Sequence, residues 1–174
     1  AKIEGKTVFY SQPLHLFDED YTKMLVYSSS TIGMEGADGP LRRLGPGTTQ
    51  IRIILPPELL TDSTSLFFHQ FAADAMNTAL SGRLRYSVGS EAVAGSLSVM
   101  VSVDPAGPSC SGHIFAYASI GTSGAGEITF ASITYCATRW ARAGQVILHE
   151  MGHTLGLRHS AVTSDVMYPD VGGA

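Results

Sequence analysis

Charge is scarce in this chain, and so is cysteine. Of 174 residues only 15% are Asp, Glu, Lys or Arg, and the formal net charge is −4. That leaves no basic stripe of the kind a phosphate backbone demands, so no nucleic acid is expected as a partner. No apolar run approaches the roughly 18 residues of a membrane span, which sets a spanning helix aside. The opening residues, AKIEGKTVFY, lack the basic and then apolar pattern of an export signal, and the expectation is a mature or trimmed form. The two cysteines, Cys110 and Cys136, stand in no CxxC pair, which excludes a zinc knuckle and a thioredoxin-type redox site. Internal repeats and long low-complexity segments are missing too.

What is present is an ordinary supply of core. Hydrophobic residues make up 44%, which argues against disorder, and the length suits one domain. Residues 1–46 are loosely specified: strand-like runs at 6–10 and 23–28, then a Gly- and Pro-rich stretch over 31–49 that reads as loop. The run QIRIIL at 50–55, stopped by Pro56 and Pro57, predicts a strand. Asp62 or Ser63 can cap a helix to about Leu80, with Leu66, Phe67, Phe71, Ala75 and Leu80 as its apolar stripe. Strands are predicted at 84–88, 96–103, 114–120 and 127–133, the last two joined by a glycine-rich turn. A final helix starts near Thr138 and turns Trp140, Ala143, Val146, Ile147 and Met151 inward. Strand, helix, several strands and helix make a mixed α/β (α+β) sandwich.

That final helix carries HEMGHTLGLRHS, residues 149–160. Positions i and i+4 of a helix share one face, so His149 and His153 can reach one zinc ion at about 2.0–2.1 Å. Gly156 supplies the break after which His159, six residues past His153, can turn back to the same ion. Three protein ligands leave a fourth position open for water, the mark of a catalytic zinc. Glu150, beside the ligands, is suited to take that water's proton. A lone histidine on an apolar face is ordinarily a packing residue, and His69 and His15 are read that way. With this protease-type motif nearby, Cys110 and Cys136 are expected as a disulfide, the alternative being two buried thiols.

The same residues resemble the long zinc signature of the metzincins. Met167, eight residues past His159, resembles the methionine of their Met-turn. Ser160 and the run Val166-Met167-Tyr168-Pro169 are most similar to the matrixin branch. The resemblance implies a zincin-like fold: a twisted mixed sheet with two helices above a cleft over 48–159, and a short irregular subdomain over 160–174 with the Met-turn. It implies a secreted, monomeric endopeptidase with one catalytic zinc, acting on extended protein or peptide substrates. The substrate would pair with the edge strand at Ile114, Phe115, Ala116 and Tyr117, near a pocket involving Gln145, Tyr168 and Pro169. The alternatives are a zinc-binding module without activity, or an enzyme held latent by residues 1–46, with Asp38 (or, less well, Asp18, Glu19 or Asp20) on the metal.

The chain departs from the matrixin pattern at several places. Tyr117 and Thr129 stand where the family's second, structural zinc has histidines, and neither is a credible ligand, so one zinc is expected. His113 lacks partners by spacing. Calcium at Asp104 and the glycines after it is weaker than a simple turn. Val171 stands where the family's pocket wall has tyrosine, and the family's third helix would lie beyond Ala174.

Overall fold

The computed structural model describes residues 43–110, 114–160 and 165–168, with backbone strands at 2–3, 6–9 and 17–18. Segment 23–28, Asp38, His15, His113, Pro169 and Val171 lie outside the described residues. Strands β1 (Lys2–Ile3), β2 (Lys6–Phe9) and β3 (Phe17–Asp18) pair antiparallel in a small sheet of their own.

The main sheet holds β4 (Arg43–Leu44), β5 (Gln50–Ile54), β6 (Arg85–Gly89), β7 (Leu97–Val103), β8 (Ala116–Thr122) and β9 (Glu127–Tyr135). Its order is β4-β9-β7-β5-β6, all parallel, and β8 pairs antiparallel with β9. The central strands bury one face: Ile51 and Ile53 of β5 and Leu97, Val99 and Val101 of β7 are in the core, while Met100 between them is 46% exposed. The tight connection of β8 to β9 closes through Gly126 N–H to the Ser123 carbonyl (2.9 Å), with Gly126 at φ 76°. That positive φ favours glycine, which is why this turn reads so clearly in the sequence. The strands run a residue or two beyond or short of the expected bounds, and β8 starts at Ala116, not Ile114.

Two helices cross one face of the sheet. Pro57 opens a short helix α1 (Pro57–Thr61) that the sequence reading missed; its fixed φ suits a first helical position. Helix α2 (Ser63–Ala79) is capped by the Asp62 side chain, which accepts from Thr64 N–H (3.1 Å) and also from Arg142 Nε (2.6 Å).

The buried face of α2 differs from the expected stripe. Phe67 and Phe71 are 60% and 43% exposed, while Ser65, His69, Ala72, Ala73, Ala75 and Met76 face the core. Three alanines let the helix lie close to the sheet, and His69 finds hydrogen bonds there. Its Nδ1–H donates to the Ser65 carbonyl (2.8 Å), so its Nε2 accepts from the Tyr135 hydroxyl (3.0 Å).

The expected single helix from Thr138 is two pieces. A 3₁₀ turn, Thr138–Arg142, ends at Ala143, whose extended backbone starts helix α3 (Gly144–Thr154) afresh. Ala141, Val146, Ile147 and Met151 are buried, while Trp140 and Ala143 pack at the margin of the core. Cys110 and Cys136 form a disulfide, pinning the β7–β8 connection to the end of β9. The Tyr117 side chain reaches this connection, for a Cβ built on Gly107 would lie 2.9 Å from its hydroxyl. Asp104 closes a plain turn there, its carboxylate accepting from Ala106 N–H (3.0 Å).

Candidate metal centre

Helix α3 presents His149 and His153 one turn apart. Gly156, at φ 84°, turns the chain so that His159 comes back to them. One ligand nitrogen from each ring lies within 4.8 Å of the other two. His153 Nε2 sits 3.1 Å from His149 Nε2 and 3.2 Å from His159 Nε2.

The far sides of two rings decide what those close nitrogens are. His149 Nδ1 is 2.8 Å from the Val166 carbonyl, and His153 Nδ1 is 2.7 Å from the Leu157 carbonyl. A carbonyl only accepts, so both Nδ1 atoms carry the proton. Burial lowers both imidazole pKa values, that of His153 to about 4, so neither ring carries a second proton near neutrality. Two Nε2 lone pairs therefore face each other across 3.1 Å with no hydrogen between them. Such a contact is repulsive by itself and becomes favourable around a cation. Ligands at 2.0–2.1 Å from a tetrahedral zinc stand about 3.4 Å apart, close to the spacing here. The donor set, three converging imidazole nitrogens with two of the rings oriented by backbone carbonyls, fits zinc.

Glu150 lies next in the helix and is 4% exposed. Its carboxylate accepts from the Ala118 backbone N–H on β8, which tilts it toward the sheet edge. Its Oε2 has no hydrogen-bond partner among the described residues. Burial pushes its pKa up to about 8, with the Ala118 bond opposing. Tyr135, behind it at the end of β9, is raised well above an ordinary phenol by burial and then by the negative charge of Glu150. Glu150 thus has one carboxylate oxygen held by a backbone N–H and the other without a partner among the described residues.

Met167, 2% exposed, packs against helix α3 at Gly152. Its sulfur occupies the room left by Gly152, where a Cβ would overlap Sδ and lie 3.2 Å from Cε. Its carbonyl accepts from Ser160 N–H (2.8 Å), and its N–H donates to Asp165 Oδ1 (3.0 Å). Tyr168 is half-buried with its N–H on the Asp165 carbonyl (3.0 Å).

The outlying site residues divide. Gln145 is exposed on the first turn of α3. Ala116 opens the edge strand, but Ile114 and Phe115 precede it and form no part of it. Phe115 stacks on Trp140 (ring centroids 4.0 Å apart), and its carbonyl accepts from Cys136 N–H (2.9 Å). The contributions of Val166, Leu157 and Ala118 went unnoticed in the sequence, because they come from backbone atoms that every residue has. Asp165 did carry a signal, an Asx residue two before the methionine, where it can close a turn.

Residues 64–173 match the family model described as Matrixin. No curated protein matches the chain.

Proposed function

The chain belongs to the matrixin family, and on that premise we propose that it is a zinc-dependent endopeptidase with Glu150 as general base and His149, His153 and His159 as the metal ligands. The observation that carries this reading is the pairing of three converging imidazoles with a buried, half-satisfied carboxylate. A zinc ion held there would polarise a carbonyl and acidify a water to a pKa of about 7. The positive charge of such an ion would favour the ionised form of Glu150, whose carboxylate would take the proton of the attacking water and later pass it to the departing amine nitrogen. The Ala118 N–H keeps the first oxygen in place, so the unpaired Oε2 is the one free to exchange the proton.

The substrate is an extended peptide. Strand β8 has β9 on one side, and its opposite edge is where a further antiparallel strand would bind. Backbone pairing tolerates varied side chains, and the residues involved are those from Ala116 onward. Gln145 on the outer flank of α3 and Tyr168 after the Met-turn are the residues proposed to border the P1′ side chain. A secreted, monomeric form completes the reading. The disulfide suits an oxidising compartment, and no helix among the described residues is long and apolar enough to cross a membrane.

The test is cleavage of casein or a quenched peptide by the purified chain. Activity should disappear with a chelator and return with zinc. A chain that binds zinc yet cleaves neither substrate would instead be a binding module.

A further inference from the structure

We propose that Asp165 is a positioning residue for the metal centre, acting on His149 through the peptide unit between Val166 and Met167. This rests on the reading of His149 as a metal ligand.

One peptide plane makes both contacts. Its N–H, that of Met167, donates to Asp165 Oδ1 at 3.0 Å. Its C=O, that of Val166, accepts from His149 Nδ1–H at 2.8 Å. A peptide unit is planar, so fixing the direction of the N–H fixes the direction of the C=O on the opposite side. The Asp165 side chain therefore aims the carbonyl that holds the His149 ring and sets its tautomer. Metal-bound histidines commonly donate the other ring N–H to a carboxylate or a carbonyl; here a carboxylate is relayed through a carbonyl. The Asp165 carbonyl also accepts from Tyr168 N–H, at 3.0 Å, closing the turn on both of its strands of chain. Outside that turn, Met167 is held by Gly152 below and by Ser160 N–H on its carbonyl, neither of which orients the Val166 carbonyl.

Two substitutions separate geometry from charge. Asp165→Asn keeps an oxygen at Oδ1 that can accept from Met167 N–H and loses the charge. Asp165→Glu keeps the charge and moves the carboxylate out by one methylene, which breaks the short ring of the turn. Zinc affinity is read by competition with a chromophoric chelator, and ligand geometry by the visible spectrum of the cobalt(II)-loaded chain, both without substrate. Asp165→Asn should bind zinc within about threefold of the parent and keep its cobalt spectrum, whereas Asp165→Glu should bind on the order of 10–100-fold more weakly with a shifted spectrum. The reverse order, equal losses in both, or parental affinity in Asp165→Glu would each overturn the assignment. Because no readout uses peptide hydrolysis, a parent chain that binds zinc without cleaving peptide would sink the proposed activity and leave this result standing.

Discussion

Gly152 and Met167 share one space: the hydrogen of the glycine is all that separates helix α3 from the sulfur below it. A Cβ at 152 would overlap Met167 Sδ and approach Cε to 3.2 Å. Met167 is almost fully buried, so it has little room to withdraw. Gly152→Ala should therefore displace the Met-turn and cost about 1–3 kcal/mol, despite alanine's better helix propensity. Thermal unfolding of the variant checks this, and pairing it with a smaller residue at 167 should recover part of the loss.

Glu150→Gln should keep zinc and lose peptidase activity by roughly 10²–10⁴-fold, because the amide cannot carry the proton while the three imidazoles are untouched. Metal analysis and steady-state kinetics on the same preparation measure both halves. Near-parental turnover would remove Glu150 from the mechanism.

The metal-free chain should have a stability optimum in mildly acidic solution, set by two opposing groups. His153 has a folded pKa of about 4 against 6.5, so the unfolded chain binds more protons between these values and stability falls as pH drops through that window. Glu150 has a folded pKa of about 8 against 4.5, so the folded chain binds more protons there. Its contribution is present below 4.5 and is lost as pH rises through about 8. Melting curves should show a plateau between about pH 4.5 and 6.5, where the two slopes cancel, and fall on either side; Glu150→Gln should abolish the fall above pH 6.5 and leave stability rising from about pH 4 to 6.5.

Metal content after dialysis should be one zinc per chain. The Tyr117 hydroxyl lies against Gly107 and the Thr129 hydroxyl donates to the Gly121 carbonyl (3.4 Å), so neither side chain replaces a metal ligand. Atomic absorption giving two tightly held zincs would contradict this.

Removing the disulfide with Cys110→Ser and Cys136→Ser releases a loop closed across 26 residues. The chain-entropy account puts the cost at roughly 3–4 kcal/mol. Since Cys136 N–H also holds the Phe115 carbonyl just before β8, the loss should raise KM more than it lowers kcat. Unfolding curves and peptide kinetics on the double variant separate the two effects.

The sequence by itself determined which three imidazoles converge. His149 and His153 meet because of the period of one helix, and His159 joins them because Gly156 accepts the left-handed turn, so local geometry encodes nearly all of it. The same holds for the Asp62 cap and the glycine turn before β9, where short-range chemistry leaves one solution. Packing decided the rest. The face of α2 that enters the core could not be read from Phe67 and Phe71, because the choice depends on Tyr135, 66 residues beyond His69. Likewise Val166, Leu157 and Ala118 serve the centre through peptide groups that every residue carries, and only the tertiary fold brings those groups to the rings and the carboxylate.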